Sequence, residues 1–303
     1  MGFQLRRLDK RTSYSLASNN NYFCVVGPTV RVYQNSDLSL VCKFTESRSC
    51  NYAQFAGDHL LVTKAPTLSN LTYRVYDIQR KACINEIVIP NKEAQDTRFI
   101  ISPDQKFIYD VIDVIQFKDI QLCKIAIETG VCEWVRLNDN IRVKETISYN
   151  EASDCILISH SHGVGEMDGE LKGVCIVTEV DTKAMTCKDI YKRYTPISNG
   201  SIFMFDNRYI LFENMEFVDI TTGEVAGKIN YPYERMKYGY FRKAYFLKDH
   251  DYLAFVFSKR VILFDYVHQQ VYKEYPENYC SCVDIVGNRV IIGTWDKVLV
   301  DDL

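Results

Sequence analysis

The sequence predicts an all-β chain built from seven repeats of one four-stranded antiparallel unit. Three observations predict it: a recurring apolar run, a turn before each run, and an acid at the end of the strand that follows. The chain has 303 residues, with 47% hydrophobic and 25% charged. Those are ordinary globular proportions, which exclude disorder, collagen and coiled coil. Tyr (21) and Phe (16) are abundant, while Gly (14) and Pro (7) are sparse. Aromatic and β-branched residues suit a pleated, half-buried surface. No window of helical length carries a helical period.

The recurring run is a polar residue followed by a short apolar stretch. It appears as Asn21–Val26, Asp58–Val62, Lys106–Tyr109, Asp154–Ile158, Arg208–Phe212, Asp251–Phe255 and Arg289–Ile292. The seven starts are spaced on average by about 45 residues, the period of four-stranded propeller blades. Each run is preceded by another short strand and a reversal, clearest at Ile100-Ile101-Ser102-Pro103-Asp104-Gln105-Lys106. Pro presets φ there and Asp accepts local backbone hydrogen bonds. A third strand follows, usually closed by an acid: Asp77, Glu128, Asp181, Asp219, Asp265 and Asp301. A weaker fourth strand, such as Leu40–Phe44, completes each unit. The seventh unit stops after its third strand at Leu303, and residues 3–8 read as the missing fourth strand. Their pairing alongside residues 297–302 would close a seven-bladed β-propeller and leave no open edge. The expectation is one domain over residues 1–303, without a linker.

At Ser102-Pro103-Asp104-Gln105-Lys106 and at Gly293-Thr294-Trp295-Asp296-Lys297-Val298-Leu299-Val300-Asp301 the chain resembles WD40-type or YVTN-type seven-bladed propellers. The Gly-His dipeptide of that family is absent, and Trp295-Asp296 falls at the turn between second and third strands rather than at the third strand's end. The resemblance implies a platform for proteins or peptides. Function must nonetheless be argued from a site, because one fold hosts many functions.

Composition narrows the partner. Net charge is -3, from 36 basic and 39 acidic residues. That balance advertises neither nucleic acid nor an anionic membrane. No run of 18 apolar residues exists to span a bilayer. The N-terminus lacks the apolar core of a secretory signal. Gly2 does not open a myristoylation motif, because Arg6 stands where Ser or Thr is required. The eleven cysteines include no CxxC pair, and most sit in apolar runs. They read as buried, reduced thiols of a cytoplasmic, soluble protein. Cys280-Ser281-Cys282 is too little for a zinc site. No GxSxG, HExxH or phosphate-loop motif occurs, and neither a cofactor nor a metal is expected.

Two segments stand out as candidate contact surfaces. Residues 161–173 form the longest insertion, between the second and third strands of the fourth repeat. Glu166, Asp168 and Glu170 alternate there, offering carboxylates, but their spacing matches no calcium loop. The neighbouring His160 and His162 would share one strand face. Residues 231–243 connect the fifth repeat to the sixth and mix basic with aromatic side chains. Tyr and Arg are the residue types enriched in interface hot spots. The candidate partner-binding residues are therefore Arg235, Tyr238, Tyr240, Arg242, Glu166 and Asp168, on the face of blades four to six that carries both segments. The leading expectation is a non-enzymatic scaffold for a protein or peptide. The alternative is a propeller enzyme, a metal-assisted hydrolase or lactonase with acids or histidines converging at the central channel. No position of the innermost strands carries an acid in every repeat, which argues against it.

Overall fold

The structure is a computed structural model and describes residues 5–46, 50–66, 70–90, 98–113, 120–137, 143–167, 169–199, 201–229 and 238–303. Its defined elements are strands, apart from short 3-10 turns at Ile197–Asn199 and Lys248–His250. The strands assemble into seven four-stranded antiparallel sheets. The chain divides into two compact units, Met1–Pro90 with Tyr231–Leu303, and Asn91–Asn230.

The first unit opens with β1 (Arg6–Asp9), which joins a sheet formed at the far end of the sequence. Its first sheet is β2 (Ser15–Ser18), β3 (Tyr22–Val26), β4 (Val30–Gln34) and β5 (Leu40–Phe44). The second is β6 (Tyr52–Ala56), β7 (Leu60–Pro66), β8 (Asn70–Asp77) and β9 (Ala82–Pro90). The second unit holds the third sheet, of β10 (Ile100–Ile101), β11 (Phe107–Asp113), β12 (Ile120–Ala126) and β13 (Cys132–Arg136). It also holds the fourth, of β14 (Val143–Asn150), β15 (Cys155–Met167), β16 (Glu170–Asp181) and β17 (Thr186–Pro196). The fifth, of β18 (Ser201–Phe205), β19 (Tyr209–Phe212), β20 (Glu216–Asp219) and β21 (Val225–Lys228), completes that unit. The chain then returns to the first unit with β22 (Phe241–Leu247), β23 (Tyr252–Phe257), β24 (Arg260–Asp265) and β25 (Gln270–Pro276). The last sheet is β26 (Cys280–Val286), β27 (Arg289–Thr294), β28 (Val298–Asp302) and, at its edge, β1.

The register at that edge is Arg6 opposite Val300, Arg7 opposite Leu299 and Asp9 opposite Val298. The N-terminal strand therefore does supply the fourth strand of the last sheet. The described strand runs over Arg6–Asp9, one residue beyond the expected end at Leu8, and Phe3 and Gln4 lie outside the described residues.

Inside each unit the first strands of successive sheets lie side by side: β22 by β26, β26 by β2 and β2 by β6 in one, β10 by β14 and β14 by β18 in the other. The core is therefore a series of layers between neighbouring sheets. Val26, Val32 and Phe44 of the first sheet pack with Phe55, Leu61 and Tyr76 of the second. Similar layers join the sixth sheet to the seventh, the seventh to the first, the third to the fourth and the fourth to the fifth. A strand covered on both faces reads as a continuous apolar run. That is why Phe23-Cys24-Val25-Val26 shows no alternation, all four being buried.

The turn chemistry follows the sequence. Ser102 Oγ donates to Asp104 at 2.6 Å and accepts from the Phe107 amide at 3.0 Å, closing the Ser-Pro-Asp reversal. The third-strand acids cap the next turn: Asp77 accepts from the Arg80 amide, Asp181 from Lys183 and Ala184, Asp219 from Thr221, and Asp265 from His268. The insertion between the second and third strands of the fourth repeat is a hairpin extension of β15 and β16, paired from His162–Val174 to Met167–Glu170.

Candidate functional site

At one end of the first unit, the connections into the first strands meet the turns between second and third strands. Tyr240 precedes β22, Tyr279 precedes β26 and Tyr14 precedes β2. The turns opposite them are Ser258–Lys259, Trp295–Lys297 and Gly27–Thr29. Backbone hydrogen bonds knit these segments into one rim. The Ser258 amide donates to the Tyr240 carbonyl at 2.8 Å, and the Tyr279 amide donates to the Ser258 carbonyl at 2.6 Å. The Trp295 amide donates to the Tyr279 carbonyl at 3.2 Å, and Ser13 donates to Thr294 at 2.8 Å. Thr12 Oγ1 donates to the Trp295 carbonyl at 2.5 Å.

Local chemistry fixes each turn. Gly239 has φ +79°, and a Cβ there would stand 2.1 Å from Ser258 Oγ, so only glycine fits. Ser258 Oγ accepts from the Tyr240 amide at 3.1 Å. Thr294 Oγ1 donates to Asp296 at 2.7 Å and accepts from the Lys297 amide at 3.0 Å, setting the turn that lifts Trp295. Lys297 and Glu277 pair at 3.1 Å beside it.

The rim presents large aromatic side chains to solvent. Tyr240 is 65% exposed, Tyr279 57%, Trp295 53% and Tyr14 42%. Tyr279 and Trp295 lie nearly parallel, 16° apart with ring centres at 5.9 Å. The Arg242 guanidinium stands 4.9 Å over the Trp295 ring. Among the described residues Arg242 pairs with no carboxylate, so its charge stays available beside the aromatic pair. Rigid rings cost little rotamer entropy when covered, and a cation over an aromatic face gains when desolvated.

The structure divides the sequence candidates. Tyr240 and Arg242 lie at this rim. Tyr238 lies beneath it, buried, with Phe257 5.9 Å away and the Arg260 guanidinium 4.6 Å over its ring. Glu166 is exposed opposite Leu171 on the β15–β16 hairpin of the second unit. Arg235 and Asp168 fall outside the described residues. Trp295 and Tyr279 were not among the candidates. The signal for Tyr279 was the repeat itself: aligned on the first strand, the sixth, seventh and first repeats each carry Tyr in the preceding position.

Other reactive groups are committed elsewhere. Ser281 Oγ donates to the carbonyls of Ser13 at 2.6 Å and Gly293 at 2.9 Å. Cys282, fully buried 3.2 Å from Ser13 Oγ, has its thiol pushed up by burial. His160 is buried 3.2 Å from Thr178 Oγ1, which donates to Asp189 at 2.8 Å. Among the described residues no group of three His, Cys, Asp or Glu side chains is placed to hold a metal ion. Nor is any described helix long and apolar enough to cross a membrane.

No family model and no curated protein matches this chain. Among solved structures it is similar to the β-propeller domain of Cps50 (Swd1) from Myceliophteria thermophila. The identity is 10%, all of each chain is covered, and the TM-score is 0.70. At that identity the likeness concerns fold alone. With the seven four-stranded antiparallel sheets, it makes this chain a seven-bladed β-propeller.

Proposed function

We propose that the chain is a non-enzymatic interaction module, a distant WD40-like propeller that docks a protein or peptide on the aromatic rim of its first unit. One observation carries the reading. Tyr240, Tyr279 and Trp295 are exposed on a rim held by consecutive backbone hydrogen bonds, with Arg242 over Trp295. A preorganised aromatic anchor spends little of its interaction energy on ordering itself. Arg242 would pair with a carboxylate or backbone carbonyl of the partner as the rings are covered. This reading moves the docking surface from blades four to six toward blades six, seven and one. It treats residues 1–303 as one domain working in the cytoplasm, in keeping with eleven free cysteines.

The test begins with affinity capture from the native cell, followed by titration with the purified partner. Truncating a true hot-spot aromatic costs ~2 kcal/mol or more, roughly thirtyfold in affinity. Trp295→Ala is therefore expected to weaken binding by about thirtyfold while leaving the melting curve in place. A partner that binds the variant as tightly as the parent chain docks elsewhere.

A further inference from the structure

A separate cleft of about 430 Å³ opens in the second unit, between the third and fourth sheets. Its volume is that of a ligand pocket. Three turns form the mouth: Ser102–Asp104 before β11, Glu151–Asp154 before β15, and Thr182–Lys183 after β16. The walls are aromatic. Tyr109 stands between Phe107 and Tyr149, with ring centres 6.5 and 6.1 Å away.

The charges in the cleft do not balance once existing pairs are set aside. Lys124 Nζ lies 4.6 Å over the Phe107 ring, donates to the Thr182 carbonyl at 3.0 Å and pairs with Glu133 at 3.3 Å. Lys183 pairs with Asp154 at 2.8 Å, and Asp154 also accepts from the Tyr149 hydroxyl. Both cations are thus committed. One carboxylate is unpartnered and a second is held only by a long, exposed pair. Glu151 is exposed and makes no hydrogen bond or ion pair among the described residues. Asp104 is aimed by Ser102 Oγ and the Lys106 amide, and its nearest cation, Lys106 Nζ, is 3.8 Å away on a largely exposed chain.

From these placements we infer that the cleft is a second binding site, one that takes the guanidinium of an arginine side chain between the Tyr149 wall and the carboxylates of Glu151 and Asp104. Lys124 over Phe107 is the chain's own example of a cation on this aromatic wall. A planar guanidinium offers both a stacking face and a fork of donors for two carboxylates, whereas an ammonium is a compact point charge. An anionic group would meet the unpartnered Glu151 and the loosely paired Asp104, while both lining cations are already engaged. An apolar side chain would strip water from these carboxylates without compensation.

The test uses the full chain and ligand-observed NMR titration with acetyl-Gly-Arg-Gly-amide, its lysine, citrulline and glutamate counterparts, and free arginine. The arginine peptide is expected to bind at least about fivefold more tightly than the lysine and citrulline peptides, and the glutamate peptide not at all. Glu151→Gln removes an exposed group with no partner, so folding is not at risk, and it should weaken the arginine peptide by about two- to fivefold. Adding Asp104→Asn should bring the loss to about tenfold. Trp295→Ala, in the other unit, should change nothing, which keeps this result independent of the aromatic rim. Free arginine binding as well as the capped peptide would show that the guanidinium alone is read, and would uphold the site. Equal binding of arginine and citrulline, no binding by either, or indifference to Glu151→Gln would overturn it.

Discussion

Asp219 shows what an acid at the end of a third strand does. Hydrogen bonds from the Arg208 guanidinium (Nε at 2.8 Å) and from Thr221 hold its carboxyl at about 2, below the usual carboxylate range. A depressed folded-state pKa contributes stability that is present above the unfolded pKa, near ~3.9, and is lost as pH falls through the folded one. Asp219→Asn is therefore expected to cost roughly 1–2 kcal/mol at pH 7, discounted for the half-exposed Arg208. The gap to the parent should narrow steadily below about pH 4. Urea unfolding at several pH values checks this, and a gap constant down to the acid limit would contradict it. Recurrence of these acids was legible in the sequence as a repeat mark. Their turn-capping role was not, because the accepted amides become partners only once the turn exists. The thiols divide in the same way. Burial pushes Cys280 up to about 12 and Cys50 up to about 11, as inertness requires. Cys132, half-buried, is brought down to about 7 by a hydrogen bond from Cys123. No spacing rule marks that pair, since it arises from the register of β12 on β13. Timed alkylation at pH 7 with peptide mapping should find Cys132 modified first, ahead of the more exposed Cys83, because the thiolate is the nucleophile.

Among the elements, the middle strands were the easiest to read and the ends of strands the hardest. The apolar runs of β3, β7, β15, β19, β23 and β27 stand in the sequence because both faces are covered. The insertion at residues 161–173 was legible as joining second to third strand, but its glycines hid how far the pairing runs: Gly163 pairs with Gly173 and the strands run on after a bulge. Glycine weakens a strand without forbidding it. Bulges where third strand meets fourth, at Val32/Tyr33, Val75/Tyr76 and Leu263/Phe264, leave no mark in composition either. One glycine is dictated by packing. A Cβ on Gly293 of β27 would stand 2.4 Å from Cys282 Sγ and 2.5 Å from Ser13 Oγ. Gly293→Ala should therefore destabilise by roughly 1–3 kcal/mol, the cost of overpacking a tight site. A calorimetric melting temperature equal to the parent's would show that Ser13 and Cys282 yield freely.

For the molecule as a whole, the repeat count and the use of the N-terminal strand in the last sheet were both legible, because each needs only a period and a missing strand. The side chains that make the join firm were not. Asp9, at the end of β1, accepts from the Tyr33 hydroxyl at 2.7 Å and pairs with Arg31 Nε at 3.0 Å, both on β4 of the first sheet. Arg31 is almost fully buried. β1 therefore binds the seventh sheet through its backbone and the first through one carboxylate. Breaking a buried ion pair leaves its partner charge uncompensated, at about 3–5 kcal/mol. Asp9→Ala should approach that loss, and deletion of residues 1–9 should exceed it by exposing the β28 edge. A circular permutant separates the strand from its chain position. Joining Leu303 to Leu5 and opening between Lys10 and Arg11 keeps β1 antiparallel to β28, with Arg6 still facing Val300. If the join works through β1 itself, the permutant should unfold in urea within about 1 kcal/mol of the parent, while the deletion falls well below both. A permutant as weak as the deletion would mean that continuity from β1 into β2, rather than the strand and its aspartate, holds this sheet together.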